Sequence, residues 1–225
     1  MLCSEIMKRD VEYCLDSSLL TEAAEAMRRR DLGFLPVCTL EGEVVGALTD
    51  RDIVVRGLAE GRPSGATLAR ELMSTPLVHC SPSDEVAVAE DRMSRMQKSR
   101  IVCLDERGRL AGVISLSGLA RIALQAHAGA VAASIAMREA AVTAGSARAS
   151  TLTCRDVMKS DVAACHLEDT VTSVARLMRD RGIGFVPVCD DRGATVGTLT
   201  DRDLVVRVVA ERRDPTTTRA QEVLT

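Results

Sequence analysis

Two short polar runs carry the residues most able to do chemistry: Thr49-Asp50-Arg51-Asp52, inside VVGALTDRDIVVR, and Thr200-Asp201-Arg202-Asp203, inside TVGTLTDRDLVVR. Each offers a hydroxyl, a guanidinium and two carboxylates within one helical turn. If a helix begins at the Thr, two uses are open. In the first, the Thr caps the helix and the acid three residues on completes a capping box. The acid also suits the positive end of the helix dipole, and such a cap is worth about 1 kcal/mol. In the second, the free N–H groups of the helix start take a phosphate. Thr49 then holds phosphate or ribose, the two oxygens of Asp52 take ribose hydroxyls, and Arg51 donates bidentately to a phosphate. Gly46 would let the strand backbone approach the ligand.

The elements that must position these runs are repeated. Thr49 falls on Thr200 at a spacing of 151 residues, which also aligns Met7 with Met158, Phe34 with Phe185, Pro36 with Pro187 and Gly46 with Gly197. A spacing of 66 gives a weaker copy, with Met7 on Met73, Met27 on Met93, Gly46 on Gly112 and Thr49 on Ser115. Repeats at such periods define the architecture before any other signal. Three units therefore start near Cys3, Leu68 and Cys154, and TTRAQEVLT at the end resembles ATLARELMS (66–74), the opening of a fourth. Each unit reads β-α-β-β-α. In the first, Val11 to Leu15 is extended. A helix follows with Leu20, Ala23, Ala24 and Met27 on one face, and Gly33 is placed to end it. FLPVC and VVGAL form two strands around a turn at Glu41-Gly42, and a second helix runs from Thr49 to about Ala59. Pro36 suggests an edge or irregular strand.

The middle unit separates the two uses of the polar run. It reads Gly112-Val113-Ile114-Ser115-Leu116-Ser117-Gly118, so the capping hydroxyl stays while the carboxylate and the Arg are lost. On the ligand reading, the outer units kept a nucleotide site that the middle unit gave up.

Composition narrows the function classes. Net charge is -3, with both signs mixed along the chain, which leaves no nucleic-acid footprint. There are two Phe, one Tyr and no Trp, so stacking platforms for single strands are missing. The eight Cys form no Cys-x-x-Cys, and His79, His127 and His166 have no ligand-like spacing to them. Cys38, Cys103 and Cys189 sit in apolar runs as small hydrophobes. The opening MLCSEIMKRD carries charge where a signal segment is apolar, and the weakly polar stretch from Leu119 to Met137 is interrupted by Arg121, Gln125 and His127. The expectation is a cytosolic protein with reduced thiols, no metal and no membrane contact. No Gly-rich phosphate loop, Ser-His-Asp set or metal-ligand set can be assembled. The Ala-rich stretch between units two and three, with Leu119, Ile122, Ala126, Ala130, Ala133 and Met137 at helical spacing, reads as a linker helix to about Ala140 and a flexible join at 145–150.

An Ile-Met or Val-Met opening, then Gly-Phe-x-Pro-Val, then Gly-x-Leu-Thr-x-x-Asp, together resemble CBS domains (cystathionine-β-synthase motifs), over nearly all the chain except the Ala-rich linker. The resemblance implies an α/β (α+β) fold of repeated units packed as a pseudo-two-fold pair, called a Bateman module. The implied divisions are motif one over 1–66, motif two over 67–124, a linker over 125–150, and motif three with the start of a fourth over 151–225. It further implies clefts that bind an adenosyl ligand (AMP, ADP, ATP or S-adenosylmethionine) as a regulatory ligand, no required cofactor, and pairing into dimers. Carried over by position, the first cleft takes Asp10, Val11, Gly33, Phe34, Leu35, Pro36, Thr49, Arg51 and Asp52. That of the third unit takes Asp161, Val162, Gly184, Phe185, Val186, Pro187, Thr200, Arg202 and Asp203. The ribose-binding Asp falls on Asp52 and Asp203. In the middle unit Gly118 replaces it and Val102 replaces the strand Pro, so that cleft is expected to be empty or to take something other than a ribonucleotide. Phe34 and Phe185 either plug the sheet end or pack on an adenine face. Cys14 and Cys165, near the clefts, are expected to be packing residues.

The expectation is a non-enzymatic regulatory module that signals to an effector protein by a conformational change. A protein-interaction scaffold with vestigial clefts stays open, as does an enzyme whose catalytic domain lies elsewhere. The third unit, lacking a sheet partner, is expected to expose an apolar face and to pair with a second chain.

Overall fold

The computed structural model describes residues 1–123, 153–158 and 161–225. Beyond residue 123, the linker helix expected to reach about Ala140 and the join expected at 145–150 lie outside the described residues. The first unit runs α1 (Cys3–Ile6), β1 (Cys14–Leu15), α2 (Leu20–Arg30), β2 (Phe34–Cys38), β3 (Val44–Thr49) and α3 (Asp50–Asp52), which continues as a π-helix over Ile53–Leu58. The second repeats this as α4 (Ala69–Leu72), β4 (His79–Cys80), α5 (Val86–Arg95), β5 (Arg100–Leu104), β6 (Leu110–Ser115) and a helical run α6 over 116–123. The third has α7 (Cys154–Val157), β7 (Cys165–His166), α8 (Val171–Arg181), β8 (Phe185–Cys189), β9 (Thr195–Thr200) and α9 (Asp201–Leu204), again continuing as a π-helix over Val205–Val209. A 3₁₀ turn at Ala220–Glu222 opens the next repeat.

Every unit has a three-stranded sheet with β2, or its counterpart, in the middle. Pro36 is thus in a central strand, not at an edge. It is tolerated because β1 pairs only with Val37 and Cys38, leaving the position of the missing N–H outside the ladder. Gly33 does not end α2. Asp31 takes the left-handed position at φ 52, and its N–H reaches the Arg28 and Met27 carbonyls. The turn glycine Gly42 is left-handed at φ 85, as the hairpin requires.

Units one and two exchange their lead-in segments. Ala47 in β3 bridges to Ser74, and Val113 in β6 bridges to Lys8, so each sheet is extended by the segment entering the other unit. In the third unit β9 bonds to Thr225 in the same way, with Thr198 N to Thr225 O at 2.8 Å. This approach uses the strand glycines. A Cβ at Gly46 would lie 2.6 Å from Met73 Sδ, and one at Gly112 would lie 2.8 Å from the Lys8 carbonyl oxygen. Gly46 therefore admits the neighbouring unit's chain rather than a ligand.

Units one and three meet through their helices. α2 packs on the π-helix 205–209 and α8 on the π-helix 53–58. Leu20, Met27, Ile53, Leu58, Met178, Leu204 and Val208 join one buried cluster that runs through both units. The third unit thus finds a partner for its helices within the chain. Its sheet side stays exposed at Met158, Val162, Phe185 and Val196. Among the described residues no helix is long and apolar enough to cross a membrane.

Candidate ligand clefts

The Thr-Asp-Arg-Asp runs do begin helices, and each side chain has a distinct task. Thr49, extended at φ -121, accepts the Asp52 N–H at 3.1 Å on its hydroxyl. Asp52 Oδ2 accepts from the Thr49 N–H at 2.9 Å and from its hydroxyl at 2.6 Å. That is a reciprocal capping box. The other oxygen, Oδ1, faces away from the cap, accepts from the Ser74 hydroxyl at 3.0 Å, and lies 3.5 Å from Arg56. The third unit reproduces the set. Asp203 Oδ2 accepts from Thr200 at 2.8 and 2.7 Å, and Oδ1 accepts from the Thr225 hydroxyl at 3.1 Å with Arg207 at 3.5 Å. In the middle unit the Ser115 hydroxyl takes the Gly118 N–H at 3.1 Å, a cap with no carboxylate.

Arg51 and Arg202 do not point into clefts. They cross between units one and three as a reciprocal pair. Arg51 donates to the Met178 carbonyl at 3.0 Å and to the Ile183 carbonyl, and pairs with Asp201 at 3.3 Å. Arg202 donates to the Leu32 carbonyl and pairs with Asp50 at 3.3 Å and with Asp31 at 2.6 Å. Each guanidinium thereby satisfies carbonyls at the C-terminal end of the other unit's long helix, α8 or α2, where cations are favoured. Gly33 and Gly184 leave room for the two acids: a Cβ at either would fall 2.6 Å from Asp50 or Asp201 Oδ2. Burial raises the Asp50 carboxyl to about 6, against the pull of Arg202 and with a push from Asp201. Asp50 Oδ1 is buried without a hydrogen-bond partner. Asp201 is also raised by burial, opposed by Arg51.

The structure divides the set expected for the first cleft. Lys8, Asp10, Val11, Gly33, Phe34, Arg100, Val113 and Ser115 line a cavity of about 210 Å³ between units one and two. Thr49, Arg51 and Asp52 do not line it. Asp10 and Val11 therefore face the hydroxyl cap of the middle unit, while Asp52 faces Ser74, the counterpart of Lys8 in the lead-in to unit two. The exchange of lead-ins causes this crossing. Phe34 is half-buried in the cavity wall, with the Arg100 guanidinium 5.7 Å from its ring centre. Leu35 and Pro36 are buried in the sheet core. In the third unit Val186 is fully buried, Pro187 is half-buried, and Asp161, Val162, Gly184 and Phe185 are exposed. Asp161 lies 3.7 Å from Arg181.

Ser74, Thr225 and Lys8 were not singled out in the sequence. Their signal was available: all three follow the unit-opening position by one residue in the repeat alignment. The thiols near the clefts are buried. Burial, then the neighbouring Cys38, pushes Cys14 up to about 12, and burial pushes Cys165 up to about 11, which disfavours a reactive thiolate. Among the described residues no group of three or more His, Cys, Asp or Glu is arranged to hold a metal ion.

The family model described as CBS domain matches residues 3–57, 69–124 and 154–210. Hypoxic response protein 1 of Mycobacterium tuberculosis is 32% identical over 117 residues, 52% of this chain and 81% of that protein. The crystal structure of protein MJ1225 from Methanocaldococcus jannaschii superposes with a TM-score of 0.68 at 16% identity. That match spans 100% of this chain and 82% of MJ1225. The CBS domain pair of protein MJ0100, solved in complex with 5′-methylthioadenosine and S-adenosyl-L-methionine, gives a TM-score of 0.50 at 20% identity over 54% of this chain and 94% of that one.

Proposed function

We propose that this chain, which belongs to the CBS domain family, is a non-catalytic regulatory module that binds an adenosyl ligand through its outer units. The observation that carries this reading is the state of Asp52 and Asp203. One oxygen of each carboxylate is committed to the helix cap. The other, Oδ1, already accepts from a hydroxyl, Ser74 or Thr225. A ribose hydroxyl makes the same bond, so a nucleoside exchanges one hydroxyl for another without exposing an unpaired carboxylate. Arg56 and Arg207 supply positive charge beside the same oxygen. The MJ0100 pair, bound to two adenosyl compounds, supports the ligand class. The signal passes through the helix ends beside these caps, since Arg51 and Arg202 leave the same turns to hold the opposite unit. The ligand shifts the arrangement only by its differential affinity for the two states.

Thermal denaturation with AMP, ADP, ATP and S-adenosylmethionine tests this, on the wild type and on Asp52→Ala/Asp203→Ala. A ligand at ~100 times its dissociation constant should add about 2.7 kcal/mol, and the double substitution should abolish that gain. The substitution itself removes the carboxylate half of two capping boxes while the Thr49 and Thr200 caps remain, so each protein is compared with its own ligand-free transition. A second reading, a scaffold whose clefts are vestigial, is favoured by the same Ser74 and Thr225 hydroxyls, which fill the sites from within. It takes the lead if none of the four compounds shifts the wild type.

A further inference from the structure

The two interdomain loops that follow the second helices of units one and three face each other across the helical interface. Loop 61–65 (Gly61, Arg62, Pro63, Ser64, Gly65) and loop 212–216 (Arg212, Arg213, Asp214, Pro215, Thr216) enclose a cavity of about 460 Å³ whose floor includes Thr21, at the start of α2. The loops are repeat equivalents, and three differences between them bear on what the cavity holds. In the third unit, Asp214 Oδ1 accepts from the Thr216 N–H at 2.8 Å and its hydroxyl at 2.7 Å. In unit one Pro63 stands at the acid's place, and among the described residues neither the Ser64 nor the Gly65 amide donates to a protein acceptor. The loop of unit one is thus missing the carboxylate that its copy carries. Likewise, Thr172 donates its amide to the Pro215 carbonyl at 3.0 Å, whereas its equivalent Thr21 has no such partner among the described residues.

The third difference is Arg212. It occupies the left-handed region at φ 56, where unit one has Gly61 at φ 68. A non-glycine residue there carries a backbone cost, and that cost sets an arginine at the cavity mouth. Arg62, Arg212 and Arg213 all line the cavity against a single lining acid, Asp214, which Thr216 already engages. Their own partners are surface acids: exposed Glu71 for Arg62, half-buried Glu25 for Arg212 and exposed Glu222 for Arg213. Exposed pairs of this kind contribute little, and a phosphate oxygen pair competes well for a guanidinium fork.

We infer that this inter-unit cavity is a binding site for a diphosphate-class oxyanion, held by Arg62, Arg212 and Arg213 and by the free loop amides of Ser64 and Gly65. Its place is separate from the ribose carboxylates, and a ligand there touches units one and three at once.

Isothermal titration of the full chain with inorganic pyrophosphate at fixed ionic strength tests the site. Saturable binding to one site is expected in the wild type and, unchanged, in Asp52→Ala/Asp203→Ala. This separates the cavity from the adenosyl clefts, so either site can fail alone. Arg212→Gly should weaken binding at least tenfold. It restores the glycine that unit one uses, so it should fold as well as the wild type, which a melting curve verifies. Arg62→Ala should weaken binding comparably. No pyrophosphate binding in the wild type would overturn the inference, as would equal binding of sulfate or full affinity in a folded Arg212→Gly.

Discussion

Each residue of the repeated Thr-Asp-Arg-Asp run answers to a different neighbour. The Thr and the second Asp close their own helix start. The Arg and the first Asp belong to the interface, each engaging the other copy. A single run would leave Asp50 without Arg202 and the carbonyls beyond α8 without Arg51. The duplication is therefore an electrostatic requirement of the contact between units one and three, whatever the clefts bind. Asp50 gives a measurable signature. Its folded carboxyl titrates at about 6, raised mainly by burial, while the unfolded group titrates near 4. Between those values the folded chain holds a proton that the unfolded chain has released, so this group makes stability fall as pH rises from about 4 to about 6 and level off above it. Its share is on the order of 2 kcal/mol. Urea unfolding across pH 4–8 should show Asp50→Asn with a flatter slope in that window. Parallel slopes would mean that Asp50 is not held in a desolvated site.

At the scale of elements, the strand glycines govern assembly. Gly46, Gly112 and Gly197 each lie where a foreign segment crosses a sheet edge. Gly112 is the least able to yield, because the atom a Cβ would meet at 2.8 Å is the Lys8 backbone oxygen, which cannot rotate away. Gly112→Ala should cost about 1–3 kcal/mol by overpacking. Gly65→Ala, with open space around it, should stay within about 0.5 kcal/mol. Equal effects in chemical denaturation would show that the lead-in is not held against β6. The second helices of units one and three share another device. Both pass into π-helix after one turn, and both set their apolar residues against the long helix of the opposite unit, α8 or α2.

The whole molecule joins its units in two ways: by exchanged lead-ins between units one and two, and by helices between units one and three. The second contact combines an apolar cluster with the two crossed arginines. Removing both, as Arg51→Met/Arg202→Met, takes charged donors from carbonyls of α8 and of the turn after α2, and leaves Asp50 and Asp201 without their cations. A charged hydrogen bond of this kind is worth about 1.5–3 kcal/mol. Calorimetry should show the third unit melting before the first two, whereas the wild type melts as one. A single transition at unchanged temperature would place the coupling in the apolar cluster and in the remaining inter-unit pairs, such as Arg179 with Glu60.

The sequence by itself determined the repeat and the β-α-β-β-α succession within it, but not the short helix that opens each unit, Cys3–Ile6, Ala69–Leu72 and Cys154–Val157. Hydrophobic spacing, a turn glycine and a helix-capping Thr are local signals, and local signals recur wherever the unit recurs. The capping role of Thr49 with Asp52 was legible for this reason, as was its loss of charge at Gly118. Only the tertiary structure decided which residues meet. A repeat alignment superposes Asp10, Gly46, Arg51 and Asp52 on their copies but says nothing of which unit each side chain faces. The lead-ins are exchanged, so Asp10 and Val11 line a cavity with Ser115, while Asp52 faces Ser74. Arg51, with the reach of a ligand donor, is bonded instead to the carbonyls of another unit. Contacts between distant segments depend on how whole units pack, and no residue's type or local spacing encodes that.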